Sequence, residues 1–168
     1  RFSNNPIVDL PLRAELANKA EADLFLSIHF NAVDRDPQRV SGVETYVLAP
    51  QGQASTQPEQ DRIMITTQYP GNRQDTANAL LGYSLHRQLV IDLKSSDRGY
   101  KRYRLAVLRP LACPGVLVEC AYLSNDAEAK RIATPEFRQQ IAEALAEGVQ
   151  NYATTLAALR PAPVLDNR

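Results

Sequence analysis

The stretch LFLSIHFNA, Leu24–Ala32, decides the fold class of this 168-residue chain. Its apolar residues follow neither the 3.6-residue spacing of a surface helix nor the strict alternation of a half-exposed strand. The pattern predicts a strand over Leu24–Phe30 that is buried on both faces of a sheet. His29 would then lie at the carboxyl end of the strand, where open α/β sheets bind their ligands.

A second stretch, GVLVECAYL (Gly115–Leu123), is also apolar and carries one charge, Glu119, near its end. Burying a carboxylate without a partner is costly, so this residue needs a structural or chemical reason to be there. Cys113 and Cys120 bracket the run and would be about 23 Å apart at about 3.3 Å per strand residue. A disulfide needs Cα atoms within about 7 Å, so two free thiols are predicted.

The remaining pattern predicts the order helix, strand, strand, helix, strand, strand, helix, helix in one α/β domain. A stripe of Leu12, Leu16, Ala17 and Ala20 predicts a first helix, with Asp9 as its N-cap. Start signals at Asn125 and Thr134 predict two helices near the end of the chain. The other predicted elements are strands over Gly42–Ala49, Leu105–Leu108 and Val116–Cys120, a helix over Asp75–Lys94, and a last helix reaching Leu159 with Phe137, Ile141, Leu145, Val149 and Tyr152 buried.

These elements predict a three-layer sandwich: a mixed, largely parallel sheet flanked by helices, with one or more N-terminal strands missing. We expect one domain over 1–159 and a tail or linker over 160–168. Because the chain opens on Arg1 and shows no signal peptide, we expect it to be a piece of a longer protein.

Three features leave alternatives open. Residues 50–74, rich in Gln, Ser and Pro, are either a mobile insertion or a lid beside the His29 strand. The segment DRGYKRYR, Asp97–Arg104, is either a solvated basic turn or a rim that pairs with anionic groups of a substrate. His86, the only other histidine, is expected at the solvent edge of its helix rather than on a metal.

The composition argues against two classes of protein. With 19 basic and 19 acidic residues, the chain has no net charge that favours nucleic acid. Its apolar runs are too short for an integral membrane segment.

His29 and Glu119 together suggest a metal hydrolase. A histidine gives a neutral nitrogen to zinc, and a glutamate takes a proton from the attacking water. A catalytic zinc needs three protein ligands, and only one good candidate is visible. His29 as a satisfied core residue therefore stays open. A Cys120 nucleophile is disfavoured, because Cys120 should face away from Glu119 on the same strand.

Four motifs carry a resemblance to a known family: LPLRAELAN, LFLSIHFNA, GVETYVL and the run from DRGYKRYR through GVLVECAYLSN. In this order, from about Leu10 to Tyr152, they resemble the zinc-dependent N-acetylmuramoyl-L-alanine amidase family 3. By this resemblance His29 matches a zinc-binding histidine and Glu119 the catalytic glutamate, while Arg13 and Asn18 match a supporting helix.

The resemblance also sets limits. The family's other two zinc ligands, a histidine in a Gly-His-Gly-Gly turn and a helical glutamate, have no counterpart here and are expected upstream of Arg1. We therefore expect the isolated chain to bind zinc weakly and to show little or no activity.

As a whole the resemblance implies a bacterial peptidoglycan hydrolase. It would cleave the amide between N-acetylmuramic acid and L-alanine, in the periplasm or outside the cell, with zinc as its cofactor and a regulatory protein as a possible partner. The alternative is a non-catalytic amidase-like domain that binds peptidoglycan or a protein. The missing ligands favour this alternative, and the retained Glu119 argues against it.

Overall fold

The computed structural model describes residues 9–56 and 65–159. This part of the chain contains four strands and four main helices, with short 3₁₀ turns at Pro37–Arg39 and Pro70–Gln74. In chain order the main elements are α1 (Leu10–Lys19), β1 (Phe25–Asn31), β2 (Val43–Leu48), α2 (Asp75–Leu93), β3 (Asp97–Tyr103), β4 (Gly115–Tyr122), α3 (Asp126–Ala133) and α4 (Pro135–Leu159).

The four strands form one open sheet in the order β1-β4-β2-β3. Strands β1 and β4 are parallel, β2 and β3 are parallel, and β2 runs antiparallel to β4. The predicted mixed sheet with flanking helices is confirmed. Among the described residues β1 is an edge strand, and the side chain of Ile28 is 53% exposed. The prediction that this strand is buried on both faces is therefore wrong for the described structure.

Helices cover both faces of the sheet, but unequally. Against one face, α2 and α4 build the main core. The predicted stripe of α4 is confirmed, with Val149 partly buried and Phe137, Ile141, Leu145 and Tyr152 at most 5% exposed. On the other face a smaller cluster, containing Ala14 of α1, Leu48, Leu111 and Phe25, packs near the start of β1. The carboxyl ends of β1 and β4 lie away from this second cluster.

The first helix differs from its prediction in which side chains it buries. Ala14 is fully buried, whereas Leu12 and Leu16 are 43% and 52% exposed. Asp9 occupies the N-cap position, but its side chain makes no capping hydrogen bond. Asn18 supports the fold as the family resemblance implied, because its amide donates to Pro110 O and accepts from Ala112 N.

Two predictions between α2 and β4 are wrong. Asp97–Arg104 is not a solvated turn, because Asp97–Tyr103 is the edge strand β3 paired with β2. Leu105–Leu108 is not a strand but enters a series of turns. Val107 and Leu108 are buried all the same, at 3% and 1% exposure in the smaller cluster, and Leu105 packs against them partly buried. Burial drives apolar patterning whether or not a backbone ladder forms.

The start of α3 fixes the ends of two strands. Asn125 Oδ1 accepts from the amides of Ala127 and Glu128, as its predicted N-cap role requires. Glu128 does not complete the capping box. Its carboxylate accepts instead from Gly42 N at 3.0 Å and Tyr122 N at 2.7 Å. This buried side chain therefore joins the start of β2 to the end of β4.

The long segment after β2 is only partly described, since 57–64 lies outside the described residues. Its described start is held at the carboxyl end of β2 by Arg104, whose guanidinium donates to Pro50 O and Gln53 O. That end of β2 is opposite the end that carries Glu44. Whether this segment acts as a lid stays a prediction.

None of the helices in the two described ranges combines the length and the apolar composition that crossing a bilayer requires.

Candidate functional site

Three ionisable residues form a row across the sheet. His29 of β1 is the register partner of Glu119 of β4, and Glu119 is in turn the partner of Glu44 of β2. Side chains of directly paired residues project from the same face of a sheet. The fold thus brings together the two residues that the sequence singled out, and it adds a carboxylate that sequence reasoning had missed.

Glu119 lies in a partly dry environment. Its side chain is half-buried, and within the described structure the buried oxygen Oε2 has no hydrogen-bond partner. Burial disfavours the charged form, and the nearby charge of Glu44 disfavours it further. Together they raise the pKa of Glu119 to about 7. A carboxyl group with this pKa exchanges protons readily at neutral pH, as a general acid or base must.

Glu44 has the opposite environment. Although the residue is only 3% exposed, its carboxylate accepts hydrogen bonds from the hydroxyls of Tyr122 and Tyr46 and pairs with Arg98 and Lys101. Burial opposes ionisation, but these four partners outweigh it and lower the pKa of Glu44 to about 2. Glu44 is therefore a permanent negative charge beside Glu119. Its signal in the sequence was an acidic residue in the otherwise apolar strand GVETYVL.

His29 lies near the exposed end of β1. The oxygen Oγ of Ser27, two residues earlier on the same face, is 2.8 Å from its ring nitrogen Nε2. The strand lines an open groove of about 780 Å³, whose wall also includes Arg13 of α1. His29 is thus reachable from solvent, and Arg13 stands beside it rather than in the core.

His86 is not at the solvent edge of its helix, so that prediction is wrong. The residue is 7% exposed, with Nδ1 at 3.1 Å from Thr45 Oγ1 and Nε2 at 2.9 Å from Asp97 Oδ1. The sequence could not show this, because Thr45 is 41 residues away in the chain and Asp97 begins a strand that the sequence did not predict. Thr45 is fully buried, so this hydroxyl–histidine–carboxylate arrangement cannot reach a substrate, and it serves to attach α2 to β2 and β3.

The two cysteines are free and buried, as predicted. Cys120 is 0% exposed and belongs to the core under α2 and α4. Burial and the neighbouring Glu119 raise the pKa of its thiol to about 12. A thiol that is neutral and inaccessible is no nucleophile, so the Cys120 alternative is excluded.

The described residues only partly fit a catalytic zinc. No group of three or more His, Cys, Asp or Glu side chains placed to hold a metal occurs within 9–56 and 65–159. His29 offers one nitrogen of the right chemistry. Glu44 is saturated by its own partners, and Glu119 has the environment of a proton carrier. Further ligands would have to come from outside the described residues.

The chain matches the model of the N-acetylmuramoyl-L-alanine amidase family over residues 3–151. It belongs to this family. It is 31% identical over 153 residues to an uncharacterized cell wall amidase of Bacillus anthracis, covering 90% of this chain and 25% of that protein. It is 27% identical over 180 residues to the amidase AmiA of Escherichia coli, covering 89% of this chain and 58% of that protein.

Solved structures of amidases have the same fold. An N-acetylmuramoyl-L-alanine amidase from Clostridium difficile 630 superposes with a TM-score of 0.70 at 26% identity, over 91% of this chain and 69% of that one. The amidase AmiC2 of Nostoc punctiforme gives 0.69 at 26% identity, over 89% and 68%. The matched region spans about a quarter of the Bacillus anthracis protein and about three fifths of the Escherichia coli amidase.

Proposed function

We propose that this amidase-family chain contributes to hydrolysis of the amide between N-acetylmuramic acid and L-alanine in peptidoglycan, outside the cytoplasmic membrane. Family membership supports the substrate class. The observation that carries the chemistry is Glu119: a half-buried carboxyl with a raised pKa, paired across the sheet with the one accessible histidine of the described structure.

The two carboxyl groups have separate tasks in this proposal. Glu44 stays ionised, and its negative charge raises the pKa of Glu119. Glu119 can therefore hold a proton near neutral pH. Glu119 takes the proton of the attacking water and passes it to the alanine nitrogen as the amide breaks. Ionised Glu119 has an orphaned oxygen, so it is well disposed to accept that proton.

Zinc is the cofactor that we propose, with His29 as one of its ligands. When bound, zinc supplies polarisation of the scissile carbonyl and a more acidic water. The supporting observation is the partly exposed imidazole of His29, whose strand position is paired with Glu119. A regulatory protein partner and a periplasmic or extracellular location remain predictions from the resemblance.

Glu119→Gln tests the proposal in the full-length gene product supplied with zinc. We expect hydrolysis of purified peptidoglycan, followed as newly released alanine amino groups, to fall at least about 100-fold. Retention on cell-wall sacculi should be unchanged. The control is Glu143→Gln on the exposed face of α4, where the carboxylate accepts a hydrogen bond from Gln139; this variant should keep its activity. Full activity of Glu119→Gln would remove Glu119 from the role.

The second candidate function is a non-catalytic peptidoglycan-binding domain. The observation in its favour is that the described residues hold no three-ligand metal cluster. It predicts that the full-length, zinc-supplied protein binds sacculi and releases no amino groups.

A further inference from the structure

Two cations of β3 converge on one carboxylate. Arg98 Nε is 3.0 Å from Glu44 Oε1, and Lys101 Nζ is 2.9 Å from the same oxygen. Arg98 also lies over the ring of Tyr122, and Lys101 over the ring of Tyr46. One negative charge balances only one of the two cations. The cluster of Arg98, Lys101 and Glu44, which we call the β3 cation cluster, therefore carries a net charge of about +1.

Both cations retain free donors. Within the described residues every hydrogen bond of Arg98 runs through Nε, to Glu44 and to the hydroxyl of Tyr122, so its two terminal amino groups are available. The ammonium of Lys101 has three N–H donors, and a single oxygen of Glu44 cannot engage them all. The side chains of Arg98 and Lys101 are 34% and 17% exposed, so a ligand can reach them.

The backbone holds Arg98 in place by an irregularity in β3. Val43 pairs with Asp97 and Thr45 with Tyr100, so β3 has one extra residue here. Gly99 has φ +103°, and its amide donates to Asp97 Oδ1, which His86 also contacts. Such a bulge re-aims a side chain. Here the bulge lies next to Arg98, whose side chain reaches Glu44. Buried His86 holds the bulge in place through its contact with Asp97.

The distance between the β3 cation cluster and Glu119 indicates which part of a substrate would reach the cluster. Strand β3 is two strands away from β4, which is about 10 Å across the sheet. An extended peptide covers that distance in about three residues. We infer that the β3 cation cluster is a carboxylate-binding subsite for the substrate's peptide, engaging an acidic residue two or three positions beyond the cleaved bond. The inference rests on the proposed function, because it takes Glu119 to mark the cleaved bond.

The test is direct binding, which does not depend on turnover. Two probes are needed: N-acetylmuramoyl-L-alanine extended by two glutamates, and the same compound extended by two glutamines, both with amidated carboxyl ends. Titration calorimetry with the purified chain should show tighter binding of the acidic probe. Lys101→Met should weaken that binding about 5- to 10-fold and change binding of the amide probe less than about 2-fold.

Two variants make the result specific to the cluster. Lys101→Arg retains the charge and should restore most of the affinity for the acidic probe. Arg102→Met removes a neighbouring exposed cation of β3 whose side chain alternates to the other face, and it should leave both affinities unchanged.

The possible failures are distinguishable. The subsite is overturned, and the proposed function is not, if the wild-type chain binds both probes equally well. The same holds if Lys101→Met loses the same factor of affinity for both probes. No binding of either probe also overturns the subsite, whereas the proposed function is decided separately, by peptidoglycan hydrolysis with the full-length protein and its Glu119→Gln variant.

Discussion

At the scale of the residue, the site depends on two glutamates that face each other across β2 and β4 in different surroundings. Hydrogen bonds from two tyrosines, a lysine and an arginine lower the pKa of Glu44 to about 2, whereas burial and the charge of Glu44 raise the pKa of Glu119 to about 7. The Cα register pairs them directly, so neither pKa is independent of the other. Two adjacent carboxyl groups with separated pKa values can divide the roles of fixed charge and proton carrier.

The raised pKa of Glu119 predicts a specific pH dependence of stability. In the unfolded chain the carboxyl ionises near its ordinary pKa of 4.5, but in the folded chain only near 7. Ionisation of Glu119 therefore costs no folding free energy below pH 4.5. The free energy of unfolding falls as the pH rises from 4.5 through 7. Glu119→Gln escapes this loss and should gain about 1–2 kcal/mol relative to wild type between pH 4.5 and 8.

Urea denaturation at several pH values with a chelator present measures this gain. Glu143→Gln, in an exposed position, should show no change in relative stability over the same pH range. A stability difference between Glu119→Gln and wild type that does not vary with pH would show that the Glu119 carboxyl has an ordinary pKa in the folded chain.

At the scale of the element, the contact between α2 and α4 depends on a close approach of the two helices. A Cβ added at Gly148 of α4 would lie 2.9 Å from both Cα and Cδ2 of Leu85 and 3.3 Å from Ser84 O. Backbone atoms among these neighbours cannot move aside as a side chain would. The glycine lowers helix propensity by about 1 kcal/mol, and the tight packing of the main core offsets that cost.

Gly148→Ala should therefore destabilise the fold, although alanine is the better helix former. Overpacking costs about 1–3 kcal/mol, and the propensity gain returns about 1 kcal/mol, so we expect a net loss of about 1–2 kcal/mol. Chemical denaturation checks the value. Ala146→Gly, at an exposed position of the same helix, measures the propensity term alone. A stabilised Gly148→Ala variant would mean that the two helices do not pack this closely.

At the scale of the whole molecule, α2 and α4 fill one face of the sheet, while among residues 9–56 and 65–159 the other face is only partly covered, by α1 and the turns after β3. The row of His29, Glu119 and Glu44 lies on the incompletely covered face. A layered α/β domain thus stabilises itself mainly through one face and presents its chemistry on the other. Curated relatives of this chain extend well beyond the length that it matches.

The incomplete ligand set predicts that the isolated polypeptide 1–168 binds zinc weakly. With no three-ligand cluster in its described residues, it should hold well under one zinc per chain after dialysis against micromolar zinc. Any residual binding should fall in His29→Ala. Elemental analysis of the dialysed protein measures both. One tightly held zinc per chain, together with peptidoglycan hydrolysis, would contradict this prediction.

Local signals in the sequence predicted much of the fold. Apolar runs predicted β1 and β4, helical spacing predicted α2 and α4, and capping residues predicted the starts of α3 and α4. The prediction failed where local and tertiary preferences diverged. Leu105–Leu108 resembles a strand because its residues are apolar, yet β3 forms earlier, from the polar segment Asp97–Tyr103 that pairs with β2.

The sequence by itself determined the fold class, the free cysteines and the positions of His29 and Glu119 at the ends of two apolar strands, because burial and strand periodicity are written into neighbouring residues. Only the tertiary structure decided that Glu44 lies beside Glu119, that Arg98 and Lys101 form ion pairs with Glu44, and that His86 is buried against Thr45 and Asp97. Each of these depends on strand order and register, which bring residues far apart in the chain within hydrogen-bonding distance.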